Sequence, residues 1–105
     1  LRPTTYCLRP KLMARIGIMG CGMVAQYGHL PAIAEVDGLE LVAAFDPNPA
    51  ALVSVRDRFP NATCVTETEA FFAAGKAAGM EAVLIASPAP AHAMNVRQAA
   101  EHGLH

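Results

Sequence analysis

Arg15-Ile16-Gly17-Ile18-Met19-Gly20-Cys21-Gly22-Met23-Val24-Ala25 is the stretch whose reading decides the fold. Residues 16–19 form a short apolar run of strand character. It leads directly into Gly20, Gly22 and Ala25, which match the spacing G-x-G-x-x-G/A. Each position has a steric reason. Gly20 permits the tight turn from strand to helix, and Gly22, lacking a Cβ, lets a ligand's pyrophosphate come close to the backbone. Ala25 keeps the helix near the strand. The free N–H groups and positive dipole end of that helix then face an anion.

Working outward, the chain alternates. Residues 23–36 read as a helix, with Val24, Tyr27, Leu30, Ile33 and Ala34 forming the apolar face toward a sheet. Gly28 and Pro31 interrupt it, so a kink or break is expected near His29. Residues 39–45 (LELVAAF) have the length and apolarity of a strand covered on both faces. Asn48 and Pro49 supply a cap and first position for the next helix, whose buried stripe is Leu52, Val55 and Phe59.

Residues 62–65 form a brief third strand. Thr66 and Glu69 carry capping-box spacing and open a short helix through Phe71, Phe72 and Ala73, with a turn region at 75–79. Residues 82–86 (AVLIA) are the fourth strand, and Ser87-Pro88 is a cap and first-turn pair. A last helix runs over residues 90–101 until His102-Gly103 stops it. The fold class is therefore α/β: a doubly wound parallel sheet of Rossmann type, incomplete at about four strands, with right-handed crossovers.

Bulk properties narrow the function classes. At 105 residues one domain is expected. A composition 53% apolar and 16% charged indicates a compact domain rather than a disordered one. A net charge of −1 with no Lys/Arg run offers no footprint for nucleic acid or an anionic membrane. No apolar run has membrane-span length and the N-terminus lacks a signal peptide's apolar core, so a cytoplasmic location is expected. Cys7, Cys21 and Cys64 show no paired spacing, which points to reduced thiols and no zinc site. Residues 1–12 (LRPTTYCLRPKL) lack periodicity and read as an extension outside a domain spanning 13–105.

Asp46 gives the glycine loop its weight. It ends the second strand 21 residues after Ala25, where a dinucleotide fold hydrogen-bonds the adenine ribose. Because Asn48 is placed to cap the next helix, the Asp46 carboxylate is expected to be free. It would repel a 2′-phosphate and no Arg follows at once, so NAD is favoured over NADP. Ser87 and Pro88 end the fourth strand beside the crevice where strand order reverses, and serve as cap, cofactor neighbour or both. His92 is a candidate for contact with cofactor or substrate. His29 reads as a packed structural residue. His102 and His105 are separated by Gly103 and lack a carboxylate partner. Cys21 sits at a helix N-terminus, which can lower a thiol pKa, but a small loop filler is the favoured reading.

Taken together, R-I-G-I-M-G-C-G-M-V-A, H-L-P-A-I, F-D-P-N-P, E-A-V-L-I-A-S-P with His92, and A-A-E-H-G-L-H resemble the N-terminal half of glucose–fructose oxidoreductase/inositol dehydrogenase (Gfo/Idh/MocA-type) proteins over residues 14–105. The resemblance implies a cofactor site made of Gly20, Cys21, Gly22, Met23, Val24, Asp46, Ser87, Pro88 and His92. It also implies hydride exchange between NAD(P) and a sugar, polyol or related hydroxyl/carbonyl compound. The family's Lys belongs to a Glu-Lys-Pro motif on the next strand, with substrate groups and any oligomer contacts from a second domain. Lys11 and Lys76 are the only lysines and neither fits that motif, so no catalytic residue is assigned. The fourth strand is expected to leave an open edge. Two other readings stand beside the dehydrogenase: a non-catalytic dinucleotide-binding or sensor module, and a methyltransferase of similar fold.

Overall fold

The computed structural model describes residues 13–105; the expected extension, residues 1–12, lies outside the described residues. The chain forms β1 (Ala14–Met19), a π-helical turn (Ala25–His29) continuing into α1 (Leu30–Glu35), and β2 (Leu39–Phe45). A 3-10 turn (Pro49–Leu52) then leads into α2 (Val53–Arg58). β3 (Thr63–Val65), α3 (Thr68–Ala77), β4 (Ala82–Ile85) and α4 (Ala89–Glu101) complete it. The strands make one parallel sheet in the order β3-β2-β1-β4. Strand order thus reverses between β1 and β4, the topological switch point at which ligands of open α/β sheets bind.

Two apolar clusters sandwich the sheet. Ile18, Leu41 and Ala44 pack with Ala25, Leu30, Ile33, Leu52 and Val55. Met19, Val42, Ala43 and Phe45 pack with Phe71, Phe72, Met80 and Ala99. Val42 and Ala43 fall in the same cluster because the register slips: Ile16 pairs with Leu41, but Gly17 pairs with Ala43. The extra residue is a β-bulge, which turns two successive side chains to one side. Gly17 lies under the aromatic packing. A Cβ there would sit 2.5 Å from Met80 Sδ and 2.7 Å from Phe71 Cζ. Burial of Phe71, which is completely inaccessible, contributes about 2 kcal/mol.

The expected break near His29 is not a break. Residues 23–35 stay helical, and the helix accommodates Pro31 by widening: Leu30 N–H donates to the Ala25 carbonyl, five residues back. A π-turn inserts one residue into the helical phase, so the buried face is not the one that regular spacing gives. Ala25, Leu30 and Ile33 face the sheet, whereas Val24 is 67% and Tyr27 79% exposed. Ala34 is also exposed.

Other local expectations shift for similar reasons. Asn48 caps as expected, its side chain accepting from Ala50 N–H at 3.1 Å with Pro49 at the first position. The Thr66/Glu69 capping box does not form, because α3 starts at Thr68 with Glu67 at its N-cap and no side-chain cap bond. Burial of Phe71, Phe72 and Gly75 sets the phase of that helix and carries it through the expected 75–79 turn as far as Ala77. Ser87 likewise makes no cap bond, since Pro88 holds the N-cap of α4. The end of α4 follows the sequence. Gly103, at φ +71°, lets Leu104 N–H reach the Ala99 carbonyl at 3.0 Å and Gly103 N–H the Ala100 carbonyl at 3.0 Å, the Schellman closure.

The outer edge of β4 is partly covered rather than open. Val83 N–H donates to the His105 carbonyl at 2.7 Å, and His105 N–H to the Glu81 carbonyl at 3.3 Å. His102 stacks on Phe72 at 4.2 Å and nearly parallel. His29 lies in an apolar groove with Ile16, Ile33 and Leu84.

Candidate functional site

β1, β2 and β4 end at one level. Met19 pairs with both Phe45 and Ile85, so Gly20, Asp46 and Ala86 leave the sheet side by side. Gly20 N–H donates to the Phe45 carbonyl at 2.8 Å, and Ala86 N–H to the Met19 carbonyl at 2.8 Å. Gly20 is required twice over. Its φ is +100°, and a Cβ would lie 2.5 Å from the Ser87 backbone nitrogen. The close approach of the loop after β1 to the loop after β4 therefore depends on glycine here.

Above these strand ends lies a largely apolar cavity of about 520 Å³. Gly20, Gly22, Met23, Val24, Asp46, Ser87 and Pro88, all proposed from sequence, line it together. Phe45, Pro47, Thr68, Ala91, Met94 and Asn95 complete much of its wall. A Cβ on Gly22 would meet nothing within 4 Å, so the space over the loop is open to a ligand. The N–H groups of Gly22, Met23 and Val24 have no acceptor among the described residues, as at any helix start. Ser87 Oγ is buried without a hydrogen-bond partner among the described residues. Asp46 is the one charged side chain on the wall, so an anionic group at the loop would be balanced by backbone dipoles rather than by Lys or Arg.

Two proposed residues sit elsewhere. Cys21 is completely buried and packs into the cluster of Ile18, Ala25 and Leu30 behind the loop. Its thiol lies 3.6 Å from the Phe45 carbonyl, and its N–H donates to Asp46 Oδ2 at 2.8 Å. Burial, reinforced by the Asp46 carboxylate, pushes the thiol pKa up to about 12. The helix start does not activate this thiol. His92 is exposed on the first turn of α4 and is not part of the cavity wall.

The Asp46 carboxylate is not free. Oδ2 holds Cys21 N–H and Oδ1 holds Asn48 N–H at 2.9 Å. The residue thus ties the glycine loop to the turn after β2. A carboxylate has about four acceptor positions, so roughly two remain for a ligand in the cavity that Asp46 lines. Sequence reasoning missed this brace because it joins residues 25 positions apart. It also missed Asn95 and Met94, which a helical periodicity places only as one face among several.

Among the described residues no three His, Cys, Asp or Glu side chains are grouped as metal ligands, and no helix is long and apolar enough to cross a membrane. The only lysine among them, Lys76, lies away from this cavity, beside Phe72, Glu101 and His102.

Comparison with known proteins agrees with this architecture. Residues 14–105 match the family described as an oxidoreductase family with an NAD-binding Rossmann fold, GFO_IDH_MocA. Among solved structures, the WlbA (WbpB) dehydrogenase from Thermus thermophilus, in complex with NAD and UDP-GlcNAcA, is 36% identical with a TM-score of 0.74. The match covers 89% of this chain and 31% of that one. WlbA from Bordetella pertussis, in complex with NADH and UDP-GlcNAcA, is 29% identical with a TM-score of 0.76, over 89% of this chain and 26% of that one. KijD10, a 3-ketoreductase from Actinomadura kijaniata in complex with NADP and TDP-benzene, is 25% identical with a TM-score of 0.76, over 89% and 27%. The chain therefore spans about a quarter to a third of the length of these relatives. With the 3-2-1-4 parallel sheet and the glycine loop at its switch point, residues 14–105 belong to the Gfo/Idh/MocA oxidoreductase family, as its NAD-binding Rossmann domain.

Proposed function

We propose that this chain is the cofactor-holding portion of a dehydrogenase that exchanges a hydride between NAD and a sugar, polyol or related hydroxyl/carbonyl compound. The observation that carries the reading is the single cavity joining the glycine loop, Asp46 and the Ser87-Pro88 turn. The nicotinamide cofactor supplies the hydride chemistry when bound. The chain's own residues bind and orient it. Gly22, Met23 and Val24 offer backbone N–H groups to the pyrophosphate, and the remaining acceptor capacity of Asp46 takes the adenine ribose hydroxyls. Ser87, Pro88 and His92 lie along the dinucleotide in this reading, His92 from its exposed position on the first turn of α4.

NAD is preferred to NADP in this reading because a carboxylate is the only charge on the wall and would repel a 2′-phosphate. Relatives are known in complex with both cofactors. A sugar-type substrate is supported by the relatives that hold UDP-GlcNAcA. A non-catalytic dinucleotide-binding module is the second reading. Its support is that the cavity wall carries no Lys or His among the described residues.

Calorimetric titration with NADH, NADPH and S-adenosylmethionine tests the proposal. NADH is expected to bind at one site, at least tenfold tighter than NADPH. Binding of S-adenosylmethionine alone would overturn it. Cofactor binding without turnover, in a chain extended through the next strand and a second domain, would favour the non-catalytic module.

A further inference from the structure

Among the described residues Asn95 is the one polar residue in the buried core, 3% exposed on the second turn of α4. Its Nδ2 donates to Gln98 Oε1 at 3.1 Å, one turn further along. Its Oδ1 is buried and has no hydrogen-bond partner among the described residues. A buried acceptor without a donor is unfavourable, and neither a cap nor a turn explains this one. Because Gln98 holds the amino end of the amide, the carbonyl end is the one left over.

The surroundings define what would satisfy it. Asn95 lines the crevice cavity, whose wall also includes Phe45, Pro47, Ala91 and Met94. These are apolar walls suited to a flat uncharged ring. Asp46 lines the same cavity and sits between Phe45 and Pro47 in sequence, so a ring attached to a ribose held by Asp46 has these apolar residues within reach. The missing partner is an N–H or O–H donor on that ring. Adenine has such a donor in its exocyclic amino group, and hypoxanthine has a carbonyl there instead.

We propose that Asn95 is a specificity-determining residue for the purine end of the dinucleotide, its Oδ1 accepting from the adenine amino group, with Gln98 as a positioning residue that fixes the amide's orientation. This rests on the dinucleotide reading above. Hypoxanthine would set its C6 carbonyl against the Asn95 carbonyl, and its N1–H reaches that acceptor only if the ring shifts from the adenine position, so the site disfavours it.

The test compares NADH with its hypoxanthine analogue, deamino-NADH, by calorimetric titration of the intact chain, and its first arm needs no substitution. The unsubstituted chain is expected to bind NADH about tenfold or more tightly, the loss that follows when one buried hydrogen bond is replaced by an unpaired acceptor. Asn95→Leu, which keeps the branched shape without polar atoms, is expected to bring the ratio to about one, and Asn95→Asp, which keeps an acceptor, to restore a preference for NADH. Gln98→Ala is expected to reduce the ratio without abolishing NADH binding. Binding of the two cofactors within about twofold by the unsubstituted chain would overturn the inference and leave the dinucleotide reading standing. So would an unchanged ratio in a folded Asn95→Leu chain. Absence of binding to either cofactor would overturn both.

Discussion

Replacing Asp46 separates two roles that the structure gives to one carboxylate. In Asp46→Ala both braces are lost: the 2.8 Å bond from Cys21 N–H and the 2.9 Å bond from Asn48 N–H. The Cys21 N–H is the costly one, because it lies in a part-buried site next to the core and would be left without an acceptor. An orphaned buried donor costs about 1–3 kcal/mol, and the exposed Asn48 N–H can turn to water. A total loss of about 2 kcal/mol is expected, which in a domain of this size lowers Tm by about 8–16 °C. Asp46→Asn keeps one acceptor and is expected to lose about half as much. Thermal unfolding followed by circular dichroism reads this directly. A Tm within about 2 °C of the original in Asp46→Ala would refute the bracing role.

The cofactor role is read from a ratio rather than from affinity alone, because a loosened loop weakens all dinucleotides together. Asp46→Asn removes the charge that opposes a 2′-phosphate, so the preference for NADH over NADPH is expected to fall about tenfold or more. An unchanged ratio in a folded Asp46→Asn chain would refute the ribose assignment, whatever happened to Tm.

Two further outcomes follow from the loop. Gly20→Ala places a Cβ 2.5 Å from the Ser87 backbone nitrogen at φ +100°; both effects are adverse, and a loss of about 2–4 kcal/mol with weakened NADH binding is expected by chemical unfolding and calorimetry. For Cys21, whose folded pKa stands at about 12 against an ordinary 9.0, the folded state favours the neutral thiol. Its contribution to stability is complete below pH 9.0 and is lost as pH rises from 9.0 toward about 12. Cys21→Ala is therefore expected to show a shallower fall in stability over that window than the parent, measured by urea unfolding at stepped pH. In a Cys7→Ser background, Cys21 is also expected to resist a thiol reagent while the half-buried Cys64 reacts first.

The helix after the glycine loop shows where local periodicity loses its authority. Val24, Tyr27 and Leu30 stand three apart and look like one face. The π-turn advances the phase by a residue, which places Ala25 on the sheet and leaves Val24 and Tyr27 in solvent. Pro31 signalled a disturbance at the right place, but its sequence does not distinguish a broken helix from a widened one. Thr66, Glu69 and Ser87 make the same point for caps. Their spacing is compatible with capping, yet the start of each helix is set by which side chains reach the core, Phe71 and Phe72 in α3 and Asn95 and Ala99 in α4.

What the sequence determined by itself is the class of fold and the location of the crevice. Alternating apolar runs and turn residues require a parallel α/β sheet. Gly20 marks a tight turn because only glycine tolerates its positive φ and its close approach to the loop after β4, while Gly22 keeps the space over the loop open. Those are short-range requirements, legible in a few neighbouring residues. Only the tertiary structure decided that Asp46 is a brace as well as a candidate ligand, that Cys21 faces the core, and that His92 stands outside the cavity wall while Asn95 stands within it. Each of these depends on which distant groups meet at the strand ends. The distances that settle hydrogen bonding and burial are set by the register of β1 with β2 and β4, and no local pattern carries that register.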